Sequence, residues 1–367
     1  MGKKNKMCYS GVGGQAVLEG VMMKNKDRYA VAVRKPDGNI EVEIENYQGI
    51  VKSSVVQKIP LVRGVVNFID SLVLGTKSLN YSASFYEEDV EETKFDKFLN
   101  KITRGKAEEV LTTFVMILSI ALAVGIFIVL PYFLSSLIED QVGNDSLLAI
   151  IEGVIRIVIF LLYVWGISLM KDIKRLYRYH GAEHKCINCI ENGKELTVSN
   201  VLRSSRLHKR CGTSFLFFVI FVSIILFFFI RVDNLWLKVL LRVALMPVVA
   251  GISYEIIRLA GRSNNIFIQL LSAPGMLIQR MTTKEPDRKM IEVAIASVEA
   301  VFDWKAYLKE NFGYQEDVEA ADEEAPDWDM GEDTDAEDAE DDDEDTYEGI
   351  QDYEDLDEED YDEEDPT

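Results

Sequence analysis

Only three histidines occur in 367 residues, and all of them, His180, His184 and His208, fall between positions 180 and 208. Chance would scatter them. The four cysteines, Cys8, Cys186, Cys189 and Cys211, are too few and too unevenly spaced for a disulfide framework. The opening residues Met1 to Lys6 run into a glycine-rich stretch with no apolar h-region, so any insertion signal is expected to be internal. Between Gln315 and Thr367 there are 31 Asp and Glu and no Lys or Arg, a composition that excludes a packed core and predicts disorder.

What is present divides sharply along the chain. The formal charge of −23 comes from that tail; the preceding residues carry the other 31 acids against 39 Lys and Arg, so the body is basic. Apolar residues make up 48% and are gathered into long runs, the mark of a membrane protein. Four spans are expected: Val110 to Ile138, with no charged residue; about Leu147 to Met170, containing Glu152 and Arg156; Gly212 to Ile230; and about Leu235 to Leu259, containing Lys238, Arg242, Glu255 and Arg258. The connection Glu139 to Ser146 has three acids and no base, whereas Lys171 to Thr213 has ten Lys and Arg against four acids. The excess of Lys and Arg orients the second connection and both termini to the cytosol of a multi-pass inner (plasma) membrane protein, with its cysteines reduced.

The fold class that follows is an all-α polytopic membrane protein of about four transmembrane helices plus interfacial or re-entrant helices, a small N-terminal β-hairpin unit and a disordered acidic tail. Residues 1–50 hold a glycine-rich turn and a hairpin, because Arg28 to Arg34 and Asn39 to Glu45 alternate at period two around Lys35-Pro36-Asp37-Gly38. Gly11 to Gly20 formally contains G-x-G-x-x-A, but no strand delivers it to a helix, so tight turns are the better reading and Glu19 is a polar candidate beside them. Residues 51–109 read as amphipathic or interfacial helices, with Arg63, Asp70 and Lys77 interrupting Ile59 to Tyr81 and a basic run, Lys94 to Lys106, suited to anionic lipid. Residues 110–260 form the membrane domain with the cytosolic loop 171–213. Ala273-Pro274-Gly275 breaks residues 263–279 into a re-entrant or interfacial pair, an amphipathic helix follows through Ile291, Ile295, Val298 and Phe302, and 313–367 is the tail.

The chemistry-bearing stretch is Tyr179-His180-Gly181-Ala182-Glu183-His184-Lys185. On a helix His180 and His184 share a face and Glu183 stands beside them, the H-x-x-E-H order in which two imidazoles ligate Zn²⁺ and the carboxylate is general base. A polar helix end is the bland alternative. A third ligand from His208, Cys211 or Glu255 completes one constellation; a closed site of Cys186, Cys189, His208 and Cys211 competes with it. Gly181 inside the helical turn is the weak point of the first.

At these residues a resemblance becomes specific. Gly14-Gln-Ala-Val-Leu-Glu-Gly-Val-Met-Met23, Tyr179 to Lys185, Arg210-Cys-Gly-Thr-Ser-Phe215, Gly251-Ile-Ser-Tyr-Glu255, Ala273-Pro-Gly275 and Thr282-Thr-Lys-Glu-Pro286 resemble the YqhQ-like family of bacterial membrane proteins, a domain of unknown function labelled a predicted metal-dependent enzyme. The resemblance covers roughly residues 8 to 305 and implies no substrate. His208-Lys209-Arg210-Cys211 departs from an expected His-Pro-Arg-Cys, and Cys186, Cys189 and the tail lie outside the pattern.

Two functions compete: a membrane-proximal metal-dependent hydrolase acting on a peptide, lipid head group or other amphiphile, and a non-catalytic scaffold or assembly factor whose tail recruits a membrane or cytosolic protein. Transport, suggested by charges in the spans, lacks a repeat between span pairs. The lipid bilayer is the expected partner, and no nucleic acid is. Because the tail cannot bury enough apolar surface to offset its chain entropy, a protein truncated before Gln315 is expected to keep its Tm in detergent; a large drop would mean that the tail docks on the basic body.

Overall fold

The period-two residues before and after Lys35 pair as expected, but they form half of a larger sheet. In this computed structural model, which describes residues 8–51, 56–86, 107–230, 232, 234–260 and 266–315, strands β1 (Val12–Val17), β2 (Gly20–Asn25), β3 (Arg28–Arg34) and β4 (Ile40–Asn46) make an antiparallel meander in the order β1-β2-β3-β4. The expectation of turns across Gly11 to Gly20 is corrected: most of that stretch is strand. Its signal was hidden because the two tight turns use Glu19 at φ 50° and Lys26 at φ 53°, with no glycine at either position. The acidic tail and the basic run Lys94 to Lys106 lie outside the described residues.

Both faces of the central strands are covered, which explains why Tyr29-Ala-Val-Ala-Val33 is apolar throughout. Val21, Met23, Ala30 and Ala32 share one face and pack on a core with Ile187, Ile190, Ile291 and Val298. Met22, Tyr29, Val31 and Val33 occupy the other face with Leu74. Ser297 Oγ donates to Ala30 O at 3.1 Å and ties the late helix to the early strand. Glu41, Glu43 and Glu45 line edge strand β4 and discourage pairing with another chain.

The helices are α1 (Val62–Ala83), α2 (Ala107–Val124), α3 (Leu130–Ser136), α4 (Asp145–Ser168), α5 (Lys171–Glu191), α6 (Val198–Leu202), α7 (Gly212–Phe228), α8 (Leu235–Ala260), α9 (Ile266–Thr282), α10 (Arg288–Val301) and α11 (Trp304–Phe312), with single turns between some of them. The chain is therefore mostly helical with an N-terminal four-stranded sheet. Three of its helical stretches, Thr113–Ser136, Asp145–Ser168 and Leu235–Ala260, have the length and composition of membrane spans. The first runs from α2 to α3 through one π-helical turn, Gly125–Val129. Helix α7 is as apolar but has 17 residues, about 26 Å at 1.5 Å per residue.

Helix α5 starts afresh after α4, because Met170 is extended at ψ 132° and caps a new helix. One expectation about helix continuity is corrected. Helix α9 is one piece through Pro274 instead of a broken pair. The bond that proline forfeits is offset by packing, since a Cβ on Gly275 would sit 2.9 Å from Ser214 Oγ and its absence lets α9 close on α7. Small residues do the same between α1 and α8, where a Cβ on Gly64 would lie 3.0 Å from Gly251 Cα. Arg63 of α1 grips Glu255 of α8 bidentately there, Nε to Oε1 at 2.6 Å.

Gly181 does not break α5 either. A Cβ at that position would lie 2.1 Å from Lys284 O, so glycine is what allows residues 282–286 to run across the helix, with Lys284 N–H donating to Tyr177 O at 3.0 Å. Gly181→Ala raises helix propensity yet is expected to cost about 1–3 kcal/mol through that clash. Thermal unfolding in detergent checks it: an unchanged or higher Tm would show that the crossing segment is not held against α5.

Candidate metal centre

The faces of α5 are set by its neighbours. Tyr179, Ala182, Cys186 and Ile190 turn to the apolar core, leaving His180, Glu183 and His184 toward residues 206–213 and 282–286. Each imidazole is fixed by its inner nitrogen. His180 Nδ1 lies 2.9 Å from Thr282 O, and His184 Nδ1 lies 2.5 Å from Arg206 O. A carbonyl only accepts, so both rings carry a proton on Nδ1 and turn Nε2 toward the same space. This is how metal-ligating histidines are held.

A third donor arrives from another element. Cys211 is the N-cap of α7, its Sγ accepting from Thr213 N–H at 3.3 Å and lying 3.2 Å from His180 Nε2. The ligand atoms of His180, His184 and Cys211 all lie within 4.8 Å of one another. Bond lengths of about 2.3 Å to sulfur and 2.0 Å to nitrogen would put tetrahedral S and N donors about 3.5 Å apart, so small movements adapt this trio to Zn²⁺. Glu183 Oε2 is 3.8 Å from each Nε2. Its side chain is 6% exposed and His184 is 1% exposed, while His180 keeps 18%, which makes His180 the side of access.

Proton affinities follow from this crowding. Burial would lower the His180 pKa, but the adjoining Cys211 sulfur and Glu183 carboxylate outweigh it and raise it to about 9. Burial would raise that of Cys211, and the two imidazoles overcome it and hold the thiol well below its usual range. The pocket thus gathers electron-pair donors around one point, and protons there are what a metal displaces.

The remaining candidates do not join the trio. His208 is buried beside it, its ring centroid 5.6 Å from that of His184, but its Nε2 is engaged 3.6 Å from Glu191 and 3.3 Å from Arg210. Burial chiefly keeps its pKa low. Glu191 is fully buried; burial would raise its pKa, but His208, Arg210 and Ser10 N–H hold it below the usual carboxylate range. Cys186 sits in the core and Cys189 donates to Glu195 O at 3.2 Å, so the closed four-ligand set is not assembled among the described residues. Glu255 belongs to Arg63, not to the histidines. Glu19 pairs with Arg175 and accepts from Tyr179 Oη at 3.1 Å, bracing α5 one turn before the site.

Sequence reasoning passed over Glu191, Arg210 and Gln279. Glu191 lies seven residues beyond His184 on the same helix, a spacing that marks one face. Gln279 is fully buried and clamps residue 208, its Oε1 accepting from His208 N–H at 2.9 Å and its Nε2 donating to His208 O and Ser214 Oγ at 2.8 Å each. No local signal announces that role.

Residues 59–304 match the family described as "Protein of unknown function (DUF1385)". The uncharacterized protein YqhQ of Bacillus subtilis (strain 168) is 37% identical over 300 residues, which covers 82% of this chain and 94% of that protein. No solved structure matches. With the match spanning the sheet-bracing helix α1, the histidine helix and Cys211, the chain belongs to the YqhQ-like DUF1385 family.

Proposed function

We propose that this is an integral membrane hydrolase whose metal is held by His180, His184 and Cys211 at the cytosolic membrane surface. One observation carries the reading: two Nδ1-anchored imidazoles and a low-pKa thiol converge beside a buried carboxylate. A mixed N and S donor set suits Zn²⁺ over Mg²⁺ or Ca²⁺. When bound, Zn²⁺ supplies Lewis acidity to a carbonyl or phosphoryl oxygen and acidifies water. Glu183, equidistant from both imidazoles, takes the proton from the attacking water as general base. Cys211 ends the loop on the first residues of an apolar helix, which favours an amphiphilic substrate: a peptide, lipid head group or similar molecule lying at the bilayer surface.

Elemental analysis of purified protein is expected to give one Zn²⁺ per chain. The double replacement of His180→Ala and His184→Ala should lower that at least tenfold, whereas Glu183→Gln should keep the metal and lose turnover. Folded protein free of metal would end the metalloenzyme reading in favour of a scaffold. Metal lost with Glu183→Gln would make the carboxylate a fourth ligand and the site structural.

The orientation belongs to the same proposal: four spans, counting α7, with loop 171–213 and both termini in the cytosol of the plasma membrane. Its support is the contrast of ten Lys and Arg in one connection with none in the other. Cysteines introduced by Gln141→Cys and Ser205→Cys, both at exposed positions, test it with an impermeant maleimide. The first should react in intact cells and the second only after permeabilisation; the reverse pattern would invert the protein and strand the site outside.

A further inference from the structure

Within the candidate membrane spans the helix bundle encloses a charge imbalance. Arg156 of α4 and Arg242 of α8 are 3% and 4% exposed and share a single carboxylate, that of Glu152. Arg156 Nη2 donates to Glu152 Oε1 at 2.6 Å; Arg242 Nη1 and Nη2 lie 2.7 and 2.9 Å from its two oxygens. Among the described residues no second carboxylate pairs with either guanidinium. One positive charge is therefore left over where hydrocarbon surrounds the bundle, and an uncompensated charge there is costly enough to demand a partner.

The cluster is also incompletely hydrogen-bonded. Arg242 Nε is buried with no hydrogen-bond partner, whereas Arg156 Nε donates to Phe127 O at 3.1 Å, a carbonyl of the π-helical turn. Both guanidiniums lie over one ring, Phe227, at 5.0 and 5.2 Å from its centroid. Tyr132 has Lys238 at 4.3 Å and Arg242 at 5.9 Å from its centroid. Lys238, Arg242 and Arg156 thus form a descending ladder of cations. Lys238 is the fourth residue of α8, Arg242 the eighth, and Arg156 the twelfth of α4, so their backbones lie about 5, 10 and 16 Å from the first residues of those helices, and the guanidiniums of Arg242 and Arg156 converge on Phe227.

We propose that this ladder is a binding site for one oxyanion of the phosphate type, supplied by an anionic phospholipid head group or by free phosphate, entering from the end where α4 and α8 begin. An oxyanion answers the excess charge and the free Nε together, since the planar guanidinium fork matches phosphate oxygens better than a spherical halide. The Phe227 ring holds Arg156 and Arg242 in place without neutralising them. This site is independent of the metal centre and of the hydrolase reading.

The test is thermal unfolding of the full chain in phosphatidylcholine nanodiscs, compared with nanodiscs containing phosphatidylglycerol and with added inorganic phosphate. Phosphatidylglycerol is expected to raise Tm by about 4 °C. A rise with inorganic phosphate as well would assign the site to the free anion. Arg242→Gln leaves a balanced Glu152–Arg156 pair, so it should fold in neutral lipid and lose the anion-dependent rise; Arg242→Lys, which keeps charge but not the fork, should retain part of it. An equal rise in Arg242→Gln would locate the effect on surface lysines and overturn the proposal, as would wild-type protein indifferent to both anions. Should Arg242→Gln fail to fold, the Arg242→Lys comparison decides in the same way.

Discussion

Residues 282–286 can lie across α5 only because Gly181 has no side chain, and that close crossing is the constraint on which the polar site rests. It brings Thr282 O to His180 and fixes the tautomer of the ring. It brings Glu285 to Lys185 at 2.8 Å, so a lysine that is 4% exposed has a counter-ion. It also carries Thr282 Oγ1 to within 3.3 Å of Thr213 Oγ1, next to the Cys211 cap. A methyl group at one backbone position would push all of these apart together. Gly14 plays a similar part from the sheet side: a Cβ there would lie 2.4 Å from Met22 O and 3.1 Å from Glu183 Cγ, so bare strand backbone forms the wall behind the carboxylate.

Much of the local structure was legible because it obeys short-range periodicity: the pairing of β3 with β4, the apolar runs, the amphipathic α10 and the common face of His180 and His184. What escaped was set by tertiary contact. Gly181, Gly14 and Gly275 look like breakers or turns in one dimension, yet each is a place where two backbones touch. His208 and Cys211 are equivalent candidates by spacing; what separates them in the fold is that Glu191 and Arg210 engage the His208 Nε2, while the first turn of α7 holds the Cys211 thiol against His180. Glu255 was drawn toward the histidines only by its place in an apolar run. Its actual partner, Arg63, is 192 residues away in sequence. The motifs that resemble the family are largely these meeting points, and the short strings have little in common until the chain is folded.

The protein treats buried charge in two ways. Around Glu191 the account is nearly closed: Arg210 and Ser10 bond one carboxylate oxygen and His208 faces the other, next to Tyr9 stacked 4.3 Å from the Arg210 guanidinium. Such a network rigidifies the segment that delivers Cys211. Around Glu152 two guanidiniums contend for one carboxylate within candidate spans. The first arrangement holds a fold; the second is unfinished without something further.

The sheet has a consequence in time. Its β2 and β3 residues are buried on one side by α1 and on the other by α5 and α10, and Ser297 reaches back across 267 residues to Ala30. At 5–20 residues per second, synthesis from β3 to α10 occupies about 13–50 s. Throughout that interval an apolar face of the sheet has no permanent cover while the bundle is being inserted. Completion of the N-terminal unit therefore comes last, and its assembly waits on a helix made after every span.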